Sequence, residues 1–251
     1  MNQRLLSILV LLGTLATIAI NALANILPIN GLNTGEISDR YPVLFTPAGY
    51  VFSIWGVIYI ALIGFSIFQL QAKQINNPLL KATRIPYLLS CLLNSLWIFA
   101  WHNLQMAIAW LLIVGVFLSL ARIYWQIHQQ SGSFSNAERW LVVIPFSIYF
   151  GWLTVATVAN TTILLYDLQW NGFGIAAAIW CVLILFVATS IALYTAFPRR
   201  DTVYLGVLVW AFAGIAVQQA GKTPMVVYTA AVLAIIIAVF AVWLRVGKRA
   251  N

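Results

Sequence analysis

The sequence predicts an all-α protein, a polytopic membrane helix bundle of about eight transmembrane helices. Two observations lead there. Of the 251 residues, 63% are hydrophobic and only 7% charged, whereas a soluble domain carries charge on about a quarter of its residues. The apolar residues are also gathered into stretches of membrane length, divided by short breaks rich in Pro, Gly, Asn and Arg.

The first stretch, Leu5 to Leu27, follows Arg4 and contains Ala22-Leu23-Ala24, which has the look of a signal-peptidase site. It is longer than a signal core of roughly 7–15 residues, and Asn21 and Asn25 suit a helix that meets other helices, so a retained anchor is expected. Pro28 to Pro47, with its Gly, Asn and Pro residues, reads as a structured loop of lid type rather than a helix. The second helix is placed at Gly49 to Leu70, stopped by Asn76-Asn77-Pro78. The third is placed at Tyr87 to Trp101, which is short for a span, and its exit through Trp101-His102-Asn103 permits only a tight turn. A fourth helix covers Leu104 to Trp125. After the polar linker Gln129 to Glu138, a fifth covers Trp140 to Leu165 and tolerates Pro145 in its first turns. Three more stretches follow: Gly172 to Phe197, with a small-residue ridge at Ala188, Ala192 and Ala196, then Val203 to Gln218, then Met225 to Val246.

With eight spans, one side of the membrane receives Arg4, Lys73, Lys81, Arg84, Arg122, Arg139, Arg199, Arg200, Arg245, Lys248 and Arg249. The other receives Arg40 and Lys222. This bias predicts that both termini are cytoplasmic; a bacterial cytoplasmic membrane is expected as the location, with the lipid bilayer as the first partner. The net charge of +8 is a topological signal and not a nucleic-acid footprint, because no soluble basic face exists to carry it.

For chemistry, the sequence is most informative in what it lacks. No Asp, Glu, Lys or Arg falls near the middle of a predicted span, so the usual parts of a proton relay or ion coupler are missing. His102, at a turn, and His128, in a linker, are expected at the surface or interface. Neither has a second His or Cys at metal-ligand spacing. Cys91 and Cys181 read as buried thiols, and no carboxylate pair, catalytic triad or phosphate loop can be assembled. No metal and no obligatory cofactor are expected.

What remains is aromatic. Phe52, Trp55 and Tyr59 share one helical face, Asn94, Trp97 and Trp101 another, and Tyr149, Trp152, Ala156 and Asn160 a third. Three such stripes can enclose one pocket whose rings stack on a flat ligand and whose amides meet its polar edges. The alternative reading stays open residue by residue: membrane Trp and Tyr also serve as interfacial anchors, and Asn also joins helices. Trp140, Trp170, Trp243 and Tyr124 are expected in the interfacial belts.

These stretches carry a pattern: Phe45-Thr46-Pro47-Ala48-Gly49-Tyr50, then Trp55 with Tyr59, Leu93-Asn94 with Trp97, and Trp152 with Ala156 and Asn160. The pattern resembles that of the tryptophan-rich sensory proteins, the family of the mitochondrial translocator protein. Ala48 and Tyr50 stand where the family has a second proline and a tryptophan. The motifs lie in roughly the first 165 residues. The resemblance implies a five-helix translocator-like domain over residues 1–166, leaving three additional C-terminal helices in 167–251. It implies ligand binding by Phe52, Trp55, Tyr59, Asn94, Trp97, Tyr149, Trp152, Ala156 and Asn160 under a lid that includes Phe45, Pro47 and Tyr50. The implied ligand is a tetrapyrrole, a bound porphyrin or haem, or else a sterol-like molecule. A homodimer also belongs to this expectation. Three activities stay open: a sensor or receptor, a transporter of small hydrophobic molecules, and light- or oxygen-dependent tetrapyrrole breakdown.

Overall fold

The computed structural model describes residues 2–27, 29–130 and 133–247. Pro28 of the expected lid, part of the Gln129 to Glu138 linker, and the basic residues Lys248 and Arg249 lie outside the described residues. In order, the helices are α1 (Gln3–Ile26), α2 (Thr34–Asp39), α3 (Ile54–Phe68), α4 (Pro78–His102) and α5 (Met106–His128). There follow the single turn α6 (Asn136–Glu138), α7 (Ile144–Asp167), α8 (Ala177–Ala196), α9 (Thr202–Gln219) and α10 (Pro224–Val246). Among the described residues eight helical stretches are long and apolar enough to cross a membrane. Their outward side chains, such as Leu12, Ile60, Leu111 and Val239, are exposed as lipid contact requires. The protein is a multi-pass integral membrane protein. The chain forms two compact units, one of residues 1–37 and 54–153, the other of 38–53 and 154–251.

In the first unit α4 packs on α5 and on α1, and α1 packs on α3. Polar side chains join these helices inside an apolar setting. The Thr14 hydroxyl lies 2.7 Å from Ser66 Oγ and 2.8 Å from Tyr87 Oη, tying α1 to α3 and α4. Asn21 donates to Asn94 Oδ1 at 2.8 Å, as the expected helix-joining role of Asn21 requires. Where α4 passes α5, Gly115 leaves room for Leu93: a Cβ there would lie 2.8 Å from Leu93 Cδ1. The tight turn after His102 holds Leu104 at φ +56°.

The structure corrects several expectations in this unit. The third span begins at Pro78 and not at Tyr87, because Asn77 caps it by accepting from Leu79 N and Pro78 sits in the first turn, where no donor is needed. Pro86 is carried inside the helix. Arg84 therefore lies within α4 and not in a connector. It is fully buried, donating to Gln69 Oε1, Gln3 Oε1 and the carbonyls of Ile75 and Gln74. The expected loop before α3 contains the short helix α2, whose first turn is capped by the Asn33 side chain accepting from Gly35 N and Glu36 N. His102 is buried and not superficial, its ring nitrogens 3.1 Å from Thr34 Oγ1 and 3.3 Å from the Ile29 carbonyl. Tyr124 is fully buried and not in a belt, because its ring packs on His128 and Phe150 at 4.2 and 4.8 Å. Trp140 and Trp243, by contrast, are exposed as belt residues are.

The fifth span enters through a Ser135–Glu138 capping box and a wide π-helical turn, Arg139–Val143. Pro145 follows at once. A proline ring presses on the carbonyl four residues back, and the wide turn, closed by Ile144 N–H on Arg139 O, gives that ring its space.

In the second unit α10 packs on α9 and α8, and the alanine ridge of α8 is buried. Asp201 caps α9 by accepting from Val203 N and Tyr204 N at 3.1 and 3.0 Å. The 38–53 segment is fastened to α9. Ala48 N donates to Gly214 O at 3.1 Å, Trp210 Nε1 to Val51 O at 3.1 Å, and Gln219 Nε2 to Leu44 O at 3.1 Å. Tyr50 meets Trp210 edge to face at 5.3 Å. Gly214 is the seat of this segment, since a Cβ there would overlap the Val51 side chain.

Candidate functional site

The first turns of α3 start at Ile54 after the short 3-10 turn Gly49–Ser53, which sets Trp55 and Tyr59 one helical turn apart with their rings stacked at 5.4 Å. From α7, Tyr149 and Trp152 meet the same indole, at 5.9 and 6.2 Å and both edge to face. Trp55 is thus the hub of a ring cluster built by two helices. Trp55 and Tyr59 are half-buried, while Tyr149 and Trp152 are almost wholly enclosed. Edge-to-face and offset contacts at these separations are the favoured ones, adding about 0.5–1.5 kcal/mol per pair beyond the burial itself.

The amide of Asn94 reaches this cluster from α4. Its Nδ2 lies 3.5 Å from Tyr149 Oη, while its Oδ1 accepts from Asn21. Asn94 therefore joins helices and also fixes the phenol of the ring cluster. Trp97 is buried and stacks on Trp101 at 5.3 Å, and Trp101 Nε1 donates to the Thr34 carbonyl at 3.2 Å. These rings point inward.

Among the residues singled out from sequence, Trp55, Tyr59, Asn94, Trp97, Tyr149 and Trp152 all lie in the first compact unit. Phe52, Ala156 and Asn160, with the lid residues Phe45, Pro47 and Tyr50, lie in the second. There Asn160 Nδ2 donates to the Ala156 carbonyl one turn back at 2.9 Å, Phe45 is buried, and Tyr50 is exposed.

The polar column of α1 is a feature that sequence reasoning only half reached. Thr14, Thr17 and Asn21 follow one another at spacings of three and four in an otherwise apolar helix. All three are buried and bonded: Thr14 as above, Thr17 to the Cys91 carbonyl at 3.3 Å, and Asn21 to Asn94. That spacing was the available signal. No group of three or more His, Cys, Asp or Glu placed to hold a metal occurs among the described residues. The arrangement offers ring faces, two phenols and one amide, which suits binding of a flat, mostly apolar molecule more than acid–base chemistry.

A family model described as TSPO-like protein matches residues 7–243. The match runs through the last three spans as well, well past the roughly 165 residues that carry the motifs. No curated protein and no solved structure matches the chain.

Proposed function

The chain belongs to the TSPO-like protein family, and from that premise we propose that this membrane protein is a sensor that binds a planar hydrophobic ligand, a tetrapyrrole of the porphyrin or haem type, at the Trp55 ring cluster. The observation that carries the reading is the convergence of Tyr59, Tyr149 and Trp152 on the Trp55 indole, with the Asn94 amide beside Tyr149. Stacked and edge-on indoles present the large apolar faces that a macrocycle needs, and the phenols and the amide can meet its polar edge. Because the rings touch one another, the ligand enters by taking the place of ring–ring contacts. Losing two ring contacts to the ligand, at about 0.5–1.5 kcal/mol each, is then worth about 1–3 kcal/mol, or at least about fivefold in affinity.

In the orientation we propose, both termini and most of the basic residues are cytoplasmic, and the 38–53 segment faces outward. The test is a titration of the detergent-solubilised protein with protoporphyrin, read from the porphyrin's own absorbance band so that missing tryptophans do not alter the signal. A Trp55→Ala, Trp152→Ala double variant should bind at least about fivefold more weakly than wild type. Equal affinity in the two proteins would remove the ring cluster as the site.

A further inference from the structure

A cavity of about 310 Å³ lies wholly within the second unit, walled by the Pro42–Phe45 strip, the end of α7 and the first half of α8. Its rings come from Phe45, Tyr166, Trp170 and Trp180. Trp170 and Trp180 sit 5.2 Å apart, tilted at 55°, which leaves an open wedge of indole. The wedge is held in shape from behind. Trp180 Nε1 donates to Gly172 O at 2.9 Å, and Gly172, at φ +64°, leaves space for that indole: a Cβ would stand 3.2 Å from Trp180 Nε1.

Polar atoms of the wall are engaged with residues outside the lining. Leu44 O accepts from Gln219, Asn171 Oδ1 accepts from Phe173 N, and the Thr162 hydroxyl donates to Ala159 O. No charged residue lines the cavity. At the neighbouring edge contact between Tyr41 and Tyr166, burial and then the Asp167 carboxylate hold the Tyr41 hydroxyl above its ordinary range, so it too stays neutral. The volume lies at the small end of the roughly 300–1,000 Å³ typical of ligand sites, enough for two or three fused rings and too little for a macrocycle.

We propose that this cavity is a second ligand site, taking an uncharged, flat aromatic molecule of two or three fused rings between the Trp170–Trp180 wedge and Phe45. It is independent of the Trp55 cluster. The probe is acridine in mildly alkaline buffer, where it carries no charge, added to the full chain in lipid nanodiscs and read by energy transfer from protein tryptophan. Wild type should show a saturable component of one probe per chain above the linear partitioning into lipid. Ala177→Phe adds a ring at an exposed position in the cavity wall and should weaken that component at least tenfold, as should Ile184→Phe. Leu111→Phe, which adds a ring at an exposed position of α5 that belongs to neither ring cluster, should leave it unchanged. Absence of a saturable component in wild type, or equal affinity in both filled variants, overturns the site. Tryptophan quenching by brominated acyl chains that acridine cannot relieve would assign the cavity to lipid and overturn it as well.

Discussion

A hydroxyl inside a membrane helix has no water to fall back on, so Thr14 shows what one side chain does for this bundle. Its oxygen is within hydrogen-bonding distance of Val10 O, Ser66 Oγ and Tyr87 Oη, a meeting of three helices at one atom. Thr14→Val keeps the shape and removes those bonds. In membrane proteins a polar contact between helices is worth about 0.6–1.7 kcal/mol, so we expect a loss of about 1 kcal/mol, seen as a lower unfolding midpoint in detergent, with Ser66→Ala in the same background adding little. Arg84 is the residue whose place was least legible. Next to Lys81 and ahead of Pro86 it reads as a flanking charge, whereas its guanidinium is enclosed by the glutamines Gln3 and Gln69 and by chain carbonyls. Nothing in a one-dimensional charge pattern distinguishes a snorkelling arginine from one that turns inward to neutral acceptors.

Hydrophobic runs located every long helix, because in lipid the length and composition of a segment nearly determine its state. Prolines displaced the boundaries. Pro78 and Pro86 made α4 look about 15 residues long, roughly 22 Å at 1.5 Å per residue, too short for a bilayer core of about 30 Å. The observed helix has 25 residues, because Pro78 occupies a harmless first-turn position. Pro145 in turn follows a π turn that no apolar periodicity announces. The aromatic stripes were legible as faces, and Trp55, Tyr59, Tyr149 and Trp152 do meet. Which ring would be the hub was not, since that depends on how helices cross. The fastening of the 38–53 segment to α9 also joins positions more than 150 apart in sequence and left no local mark. It gives a test at the level of elements: Gly214→Val forces Val51 and Pro47 aside. Overpacking of this kind costs about 1–3 kcal/mol. The variant should show faster proteolysis within residues 38–53, while the equally helical Gly206→Val, with nothing within 4 Å of the added Cβ, should not.

At the scale of the whole chain, the orientation proposed above rests on the uneven distribution of basic residues about the eight spans found among the described residues. With Cys91 and Cys181 replaced by Ala, Lys222→Cys in the α9–α10 turn should react with a membrane-impermeant maleimide on intact cells. Lys73→Cys should react only after lysis, and the reverse pattern would invert the topology. Both lysines are exposed, so access and not burial decides the outcome. The sequence motifs set a division at residue 166, while the compact units part at Leu153 and Thr154 and assign the 38–53 segment to the unit holding the last three spans. Leu44, Ala48 and Val51 take their main-chain partners from Gln219, Gly214 and Trp210. Trimming the protein back to its first five spans would therefore not yield a miniature of it, since the ribbon ahead of α3 would keep its edge contact with Tyr166 but lose every one of these α9 partners, leaving bare amide and carbonyl groups.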